Sequence, residues 1–221
     1  MSGKEKLKRY MFLLLGLVIN SFAVALITKG NLGSSPIASV PFALSLAFPK
    51  LTLGTWCALF DILLVIAQAI ILQGKMEKRD FILQIILSFA FGFFCDIGRM
   101  VFAWVSPTSY LENLICLLCG TVFFGFGVNF ELTGNISMLP GNAFPKSIAT
   151  RLKKEYPPCR VACDISFTII SAAISLVALG KLVSVREGTV IAAFLVGNMV
   201  KFVKKLLLPF WTKLADWVAK G

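Results

Sequence analysis

The stretch GLVINSFAVALITKGNLGSSPIASVP, Gly16 to Pro41, has a counterpart 104 residues further on: GTVFFGFGVNFELTGNISMLPGNAFP, Gly120 to Pro145. The two align without gaps and agree at eight of 26 positions: Gly16/Gly120, Val18/Val122, Phe22/Phe126, Val24/Val128, Gly30/Gly134, Asn31/Asn135, Pro36/Pro140 and Pro41/Pro145. Self-similarity at a fixed offset marks a repeated structural unit. With small gaps the match extends to Asp61-Ile62 on Asp164-Ile165 and to Gly74-Lys75 on Gly180-Lys181. Each copy opens on an apolar run, breaks at Gly-Asn, and resumes after a proline.

The surroundings of the repeat say what solvent it lives in. Of 221 residues 57% are hydrophobic and 15% charged, and the mean hydropathy is +0.84; soluble domains carry about 25% charged residues. Apolar runs at Tyr10 to Thr28, Leu53 to Gln73, Phe81 to Val105, Leu111 to Phe130, Val161 to Leu179 and Thr189 to Leu208 each approach the ~20 residues that cross a hydrocarbon core. The expected fold is an all-α integral membrane protein of six transmembrane helices. An odd number of spans per copy turns the second copy upside down, so the helices form two inverted three-helix repeats, 1–105 and 106–208. Residues 209–221 form a tail in which Phe210, Trp211, Leu214, Trp217 and Val218 recur at helical spacing against Lys213, Asp216 and Lys220, as in an interfacial amphipathic helix.

The net charge of +11 is distributed by topology. With six spans, 17 of the 22 Lys and Arg residues fall on the side of the termini and five (Lys29, Lys50, Arg99, Lys181 and Arg186) on the other. The positive-inside bias therefore puts both termini in the cytoplasm. The basic residues flank apolar runs instead of forming a stripe with interleaved aromatics, which argues against nucleic acid as a partner. The first helix follows a basic segment as a signal peptide would, but no small-residue cleavage site follows it, and it is expected to be retained.

Histidine is absent, which excludes Ser-His-Asp and Cys-His catalysis and His-ligated metal sites. There is no nucleotide-binding glycine loop followed by Lys-Ser/Thr. Six cysteines include Cys116/Cys119 and Cys159/Cys163, but a thiolate cluster within an apolar span is costly, and small-residue packing is the expected role. No enzyme activity, cofactor or metal is expected.

Function is expected where the apolar pattern breaks. In the loops of the repeat, Gly30, Asn31, Ser34, Ser35 and Pro36, and Gly134, Asn135, Pro140 and Gly141, supply a turn, a cap and a first helical position ahead of a short apolar segment. Such segments either re-enter the membrane from opposite sides or lie on its two interfaces. If they re-enter, helix N-termini aimed inward suit a carboxylate or other anion, and irregular backbone at depth must line a cavity. With Asn20 these residues make up the candidate solute site. Asp61 and Asp164 occupy equivalent places in the second and fifth spans, where a carboxylate costs about 3 kcal/mol or more unless it faces a cavity or a partner. They either couple transport to an ion or anchor helices, and Arg160 stands at i,i+4 to Asp164. Asp96 and Arg99 are expected to form an ion pair or a gate, and Glu131, Arg186 and Glu187 to mark span boundaries. Asn129 and Gln68 are further buried amides.

Ile19-Asn20-Ser21-Phe22, Thr28-Lys29-Gly30-Asn31-Leu32-Gly33-Ser34-Ser35-Pro36-Ile37, Met138-Leu139-Pro140-Gly141 and Val185-Arg186-Glu187-Gly188-Thr189 together resemble the YczE/YyaS/YitT family of bacterial multi-pass membrane proteins, the first and last motifs most closely its YczE-like branch. The resemblance covers nearly the whole chain. It implies a bacterial plasma membrane location and a transport role, and leaves the substrate open. The soluble C-terminal domain of the longer YitT-like members has no counterpart in this sequence.

The expected activity is that of a small secondary transporter moving an anionic or zwitterionic solute by alternating access, with the lipid bilayer as its surroundings. The competing expectation is a non-transporting partner, either a substrate-binding subunit for an external ATPase or a scaffold for another membrane enzyme. Both leave room for a homodimer. A periplasm-dependent phosphatase fused after residue 106 is active, whereas the same reporter fused after residue 75 is inactive; the reverse pattern would invert the topology.

Overall fold

The computed structural model describes residues 3–206 and 208–219. Lys220 and the side chains of Asp216 and Val218, part of the expected amphipathic tail, lie outside the described residues. The described residues form nine helices and no strand: α1 Gly3–Lys29, α2 Pro36–Ala47, α3 Leu53–Ile71, α4 Lys78–Val101, α5 Tyr110–Gly134, α6 Pro140–Leu152, α7 Tyr156–Leu179, α8 Glu187–Leu206 and α9 Leu208–Ala219. Five of them, α1, α3, α4, α5 and α7, are long and apolar enough to cross a membrane. Large apolar side chains such as Ile70, Ile82, Phe93, Leu111, Ile169 and Val177 face outward, as they do where lipid is the solvent. The chain is a multi-pass helical membrane protein. α8 coincides with the sixth apolar run but carries Lys201, Lys204 and Lys205 near its end, and it is not among those five.

The helices begin where local chemistry caps them. Thr52 accepts the N–H of Thr55 at the start of α3, and Ser109 and Glu112 form a reciprocal capping box at the start of α5. Pro36 and Pro140 occupy the first turns of α2 and α6, where a missing N–H costs nothing. Ser35 stands at the N-cap of α2 as expected, but its side chain makes no capping bond.

α1 and α5 form the central pair. Close approach of their backbones is set by glycines at matching places. Gly16 lies against the Gly127 carbonyl and the Glu131 N–H, and Gly120 lies against Ala23 and Ile27, positions that correspond at the same offset of 104. The order long, short, long, long recurs in the two halves. Around the pair, α1 packs on α4 as α5 packs on α8, and α2 packs on α7 as α6 packs on α3. α3 also packs along α4 through Gly54 and Gly92.

The short helices do not lie apart on two surfaces. Pro36, Ala38, Ser39, Val40, Pro41, Phe42 and Ala43 of α2 are buried, and Ile37 touches Gly141 in the first turn of α6. Their N-terminal ends meet inside the bundle. The turns that launch them use Asn31 and Asn135, both left-handed at φ 49° and 45°, a conformation that asparagine tolerates better than most residues.

α9 folds back on the α1/α5 end. Trp211 is buried, donates its indole N–H to Val203 and sits edge-on to Phe130, while Lys8 lies 3.9 Å from the ring centroid of Trp217. The glycine crossing should be intolerant of side chains. Gly16→Leu is expected to cost at least about 2 kcal/mol because the opposing atoms are backbone, read as a lowered Tm in detergent, whereas Leu15→Ala on the outward face changes it little.

Candidate functional site

The centre of the bundle holds a connected polar network that begins at Glu131. This residue is 2% exposed. Its Oε1 accepts the N–H of Leu139, the N-cap of α6, at 2.7 Å, and its Oε2 lies 3.5 Å from the amide nitrogens of both Asn20 and Asn142. Glu131 is thus no boundary charge. It lies within α5 at the point where the chain breaks to form α6, and its carboxylate compensates the unpaired N–H groups and partial positive charge of a helix start.

Asn142 links this carboxylate to a half-buried ion pair. Its Oδ1 accepts from Arg160 at 2.6 Å, and Arg160 Nε donates to Asp164 at 3.0 Å. The same guanidinium lies 3.4 Å from the carbonyl of Gly141, which has lost its helical donor because residue 145 is proline. Asp164 therefore has its expected i,i+4 partner, and the pair also ties α7 to α6.

Asp61 is placed differently. It is 8% exposed, lines a cavity of about 50 Å³, and has no hydrogen-bond donor among the described residues. The cavity is otherwise formed mainly by Asn20, Ile37, Pro41, Gly141 and Asn142 with the rings of Phe60, Phe91 and Phe124. Asn20, Gly141 and Asp61 of the predicted set thus come together around the cavity, with Glu131 bonded to Asn20 beside them.

A wider vestibule of about 500 Å³ opens on the side of Lys75 and Lys146. Glu77, Asp80, Asn135 and Ser137 share its wall, and Glu131 borders it. At its edge Gln68 of α3 donates to Gln84 of α4 and accepts from Ser147 of α6. At the other end of the bundle Ser171 of α7 donates to the Ser39 carbonyl and meets Ser184, which also bonds Ser175. There Leu32 packs on Gly188, Ser34 donates its N–H to Thr189, and Arg186 donates to the Asn31 carbonyl and pairs with Glu187 at 3.2 Å.

The remaining predicted residues have structural places. Gly30 and Gly134 let their turns approach Asn113 and Arg9. The hydroxyls of Ser34 and Ser35 are buried without partners, and Pro36 borders a groove shared with Asp164 and Thr189. Asp96 does not pair with Arg99. It accepts the N–H of Gly54 at 2.8 Å and the hydroxyl of Thr52, capping α3 from α4, while Arg99 is exposed. The helix start attracts the carboxylate more strongly than a solvated guanidinium one turn away. Asn129 bonds Gly125 and Val200, a helix-to-helix contact.

Sequence reasoning did not single out Asn142, Gln84, Ser147, Ser171 or Ser184. Asn142 carried a usable signal, two residues past the repeated proline. The serines carried none, since small hydroxyl residues in apolar helices commonly bond the preceding turn.

The chain matches the family of unknown function DUF6198 over residues 7–205. It belongs to that family. It is also 30% identical over 136 residues to the Bacillus subtilis (strain 168) protein described as "Uncharacterized protein YyaS", a match covering 60% of this chain and 64% of that protein. This DUF6198 member is accordingly YyaS-like, in agreement with the resemblance carried by its motifs. No solved structure matches it.

The ion pair yields a test. Arg160→Met should destabilise the protein by about 1–3 kcal/mol by leaving the half-buried Asp164 uncompensated, and combining it with Asp164→Asn should recover much of the loss in thermal unfolding. Additive losses would show that the two side chains act separately.

Proposed function

We propose that this DUF6198 protein is a small secondary transporter, with six spans in two inverted halves that rock about the α1/α5 pair in the bacterial plasma membrane, both termini cytoplasmic. The observation that carries the reading is the one-sided vestibule: it borders Glu131 at the centre from the Lys75/Lys146 end, while the opposite end is closed by Leu32, Gly188 and the serine cluster. By the positive-inside bias the open side is cytoplasmic, so this is an inward-facing state. Two polar clusters at corresponding places, around Gln68 and around Ser171, are suited to part alternately. Their hydrogen bonds contribute about 0.5–1.5 kcal/mol each, weak enough for exchange.

The solute expected from the loops was anionic or zwitterionic, and the lining favours the zwitterion. Lys75, Lys146, Glu77 and Asp80 all line the vestibule, and the innermost charge there is the Glu131 carboxylate. A bare anion would meet that carboxylate without compensation, whereas a molecule carrying both signs can match both the lysines and the carboxylates of the lining.

Purified protein in liposomes should accumulate labelled small amino acids or similar zwitterions and leave sulfate and phosphate outside. Uptake of neither class, together with stoichiometric copurification of an ATPase, would instead support the partner-subunit reading. Ser137→Cys should react with a membrane-impermeant thiol reagent from the cytoplasmic side, and solute should slow that reaction severalfold. Labelling only from the opposite side would overturn the assignment of the open face.

A further inference from the structure

The two halves place the same acceptors at corresponding positions, but only one half supplies the positive charge. In the second half the acceptors are the Asp164 carboxylate and the Gly141 carbonyl, freed by Pro145, and the Arg160 guanidinium reaches both. In the first half the counterparts are Asp61 and Ile37, whose carbonyl is freed by Pro41 in the same way. The counterpart of Arg160 is Cys57, a buried thiol that carries no positive charge. Where the guanidinium would sit, Cys57, Asp61, Ile37 and Pro41 line the 50 Å³ cavity, and Asp61 meets no hydrogen-bond donor there among the described residues.

We infer that this cavity is a binding site for a monatomic monovalent cation of sodium size, held by the Asp61 carboxylate with the Ile37 carbonyl and water as further oxygen ligands. Hard cations take oxygen ligands, and the volume exceeds the roughly 10–15 Å³ that one water-sized sphere needs, so it accommodates one such ion with water. A cation there relieves the cost of an unpaired carboxylate among Phe60, Phe91 and Phe124, as Arg160 does for Asp164. The inference rests on the pairing of the two halves that underlies the proposed transporter, and it names the coupling ion.

The test uses the full chain in detergent, with Tm followed as sodium chloride replaces choline chloride at constant ionic strength. Choline is too large for the cavity. Sodium should raise Tm by several degrees with saturation, and Asp61→Asn should weaken the apparent sodium affinity at least tenfold. Cys57→Arg, which installs the cation of the other half, should remove the sodium response, read against the variant's own sodium-free Tm.

The titratable neighbours of Asp61 are Glu131, behind Asn20, and the thiols of Cys57 and Cys95. A Tm that follows pH but is unmoved by sodium would assign the charge compensation to a proton and overturn the site, as would an equal response to choline. Because these arms measure binding, a sodium response without liposome uptake would sink the transporter reading and leave the ion site standing.

Discussion

Two helices begin inside an apolar bundle, and the rest of the molecule depends on satisfying those beginnings. A helix start exposes backbone donors that water would satisfy at a surface, and in a bilayer each costs several kcal/mol if left alone. α6 solves this with a charge from the preceding helix, through the bond from Leu139 to Glu131. α2 uses a neutral donor-acceptor chain through Thr189. The glycine crossing of α1 and α5 follows from the same constraint, since both breaks lie at the ends of that pair and reach the interior only if the pair is tight.

The two halves therefore share a frame and differ in charge. Glu131 has Ile27 at its corresponding position, Asn142 has Ala38, and Arg160 has Cys57. The second half carries an acidic-basic network, and the first half carries Asp61 without a basic partner against a small cavity. Identical frames with unequal chemistry allow the two ends of the molecule to be unequal in stability.

Much of this frame was legible in the residues. The six apolar runs coincide with six of the helices to within a few residues at most ends, because hydropathy is the dominant signal for elements solvated by lipid. The last run maps to α8, whose lysines place it outside the helices that qualify as spans by length and composition. Gly-Asn and Pro announced the two turns and the starts of α2 and α6. The partners of the charges were less legible. Asp96 lies one turn from Arg99 in sequence, yet it binds a helix start 42 residues away, and nothing local reports that approach. Glu131 stands next to a glycine turn and so reads as an end, but its own side chain is buried against the start of α6. Spacing along one helix predicted the Arg160–Asp164 pair because both residues share its face.

The α1/α5 pairing also sets an order of events at the ribosome. α1 is complete at residue 29, but the helix that receives its glycine face and Asn20 ends at residue 134. At synthesis rates of about 5–20 residues per second, those hundred or so residues keep α1 waiting on the order of 5–20 s. During that interval its amide and glycine groove lack their permanent partner, so the first helix made is among the last to be finished.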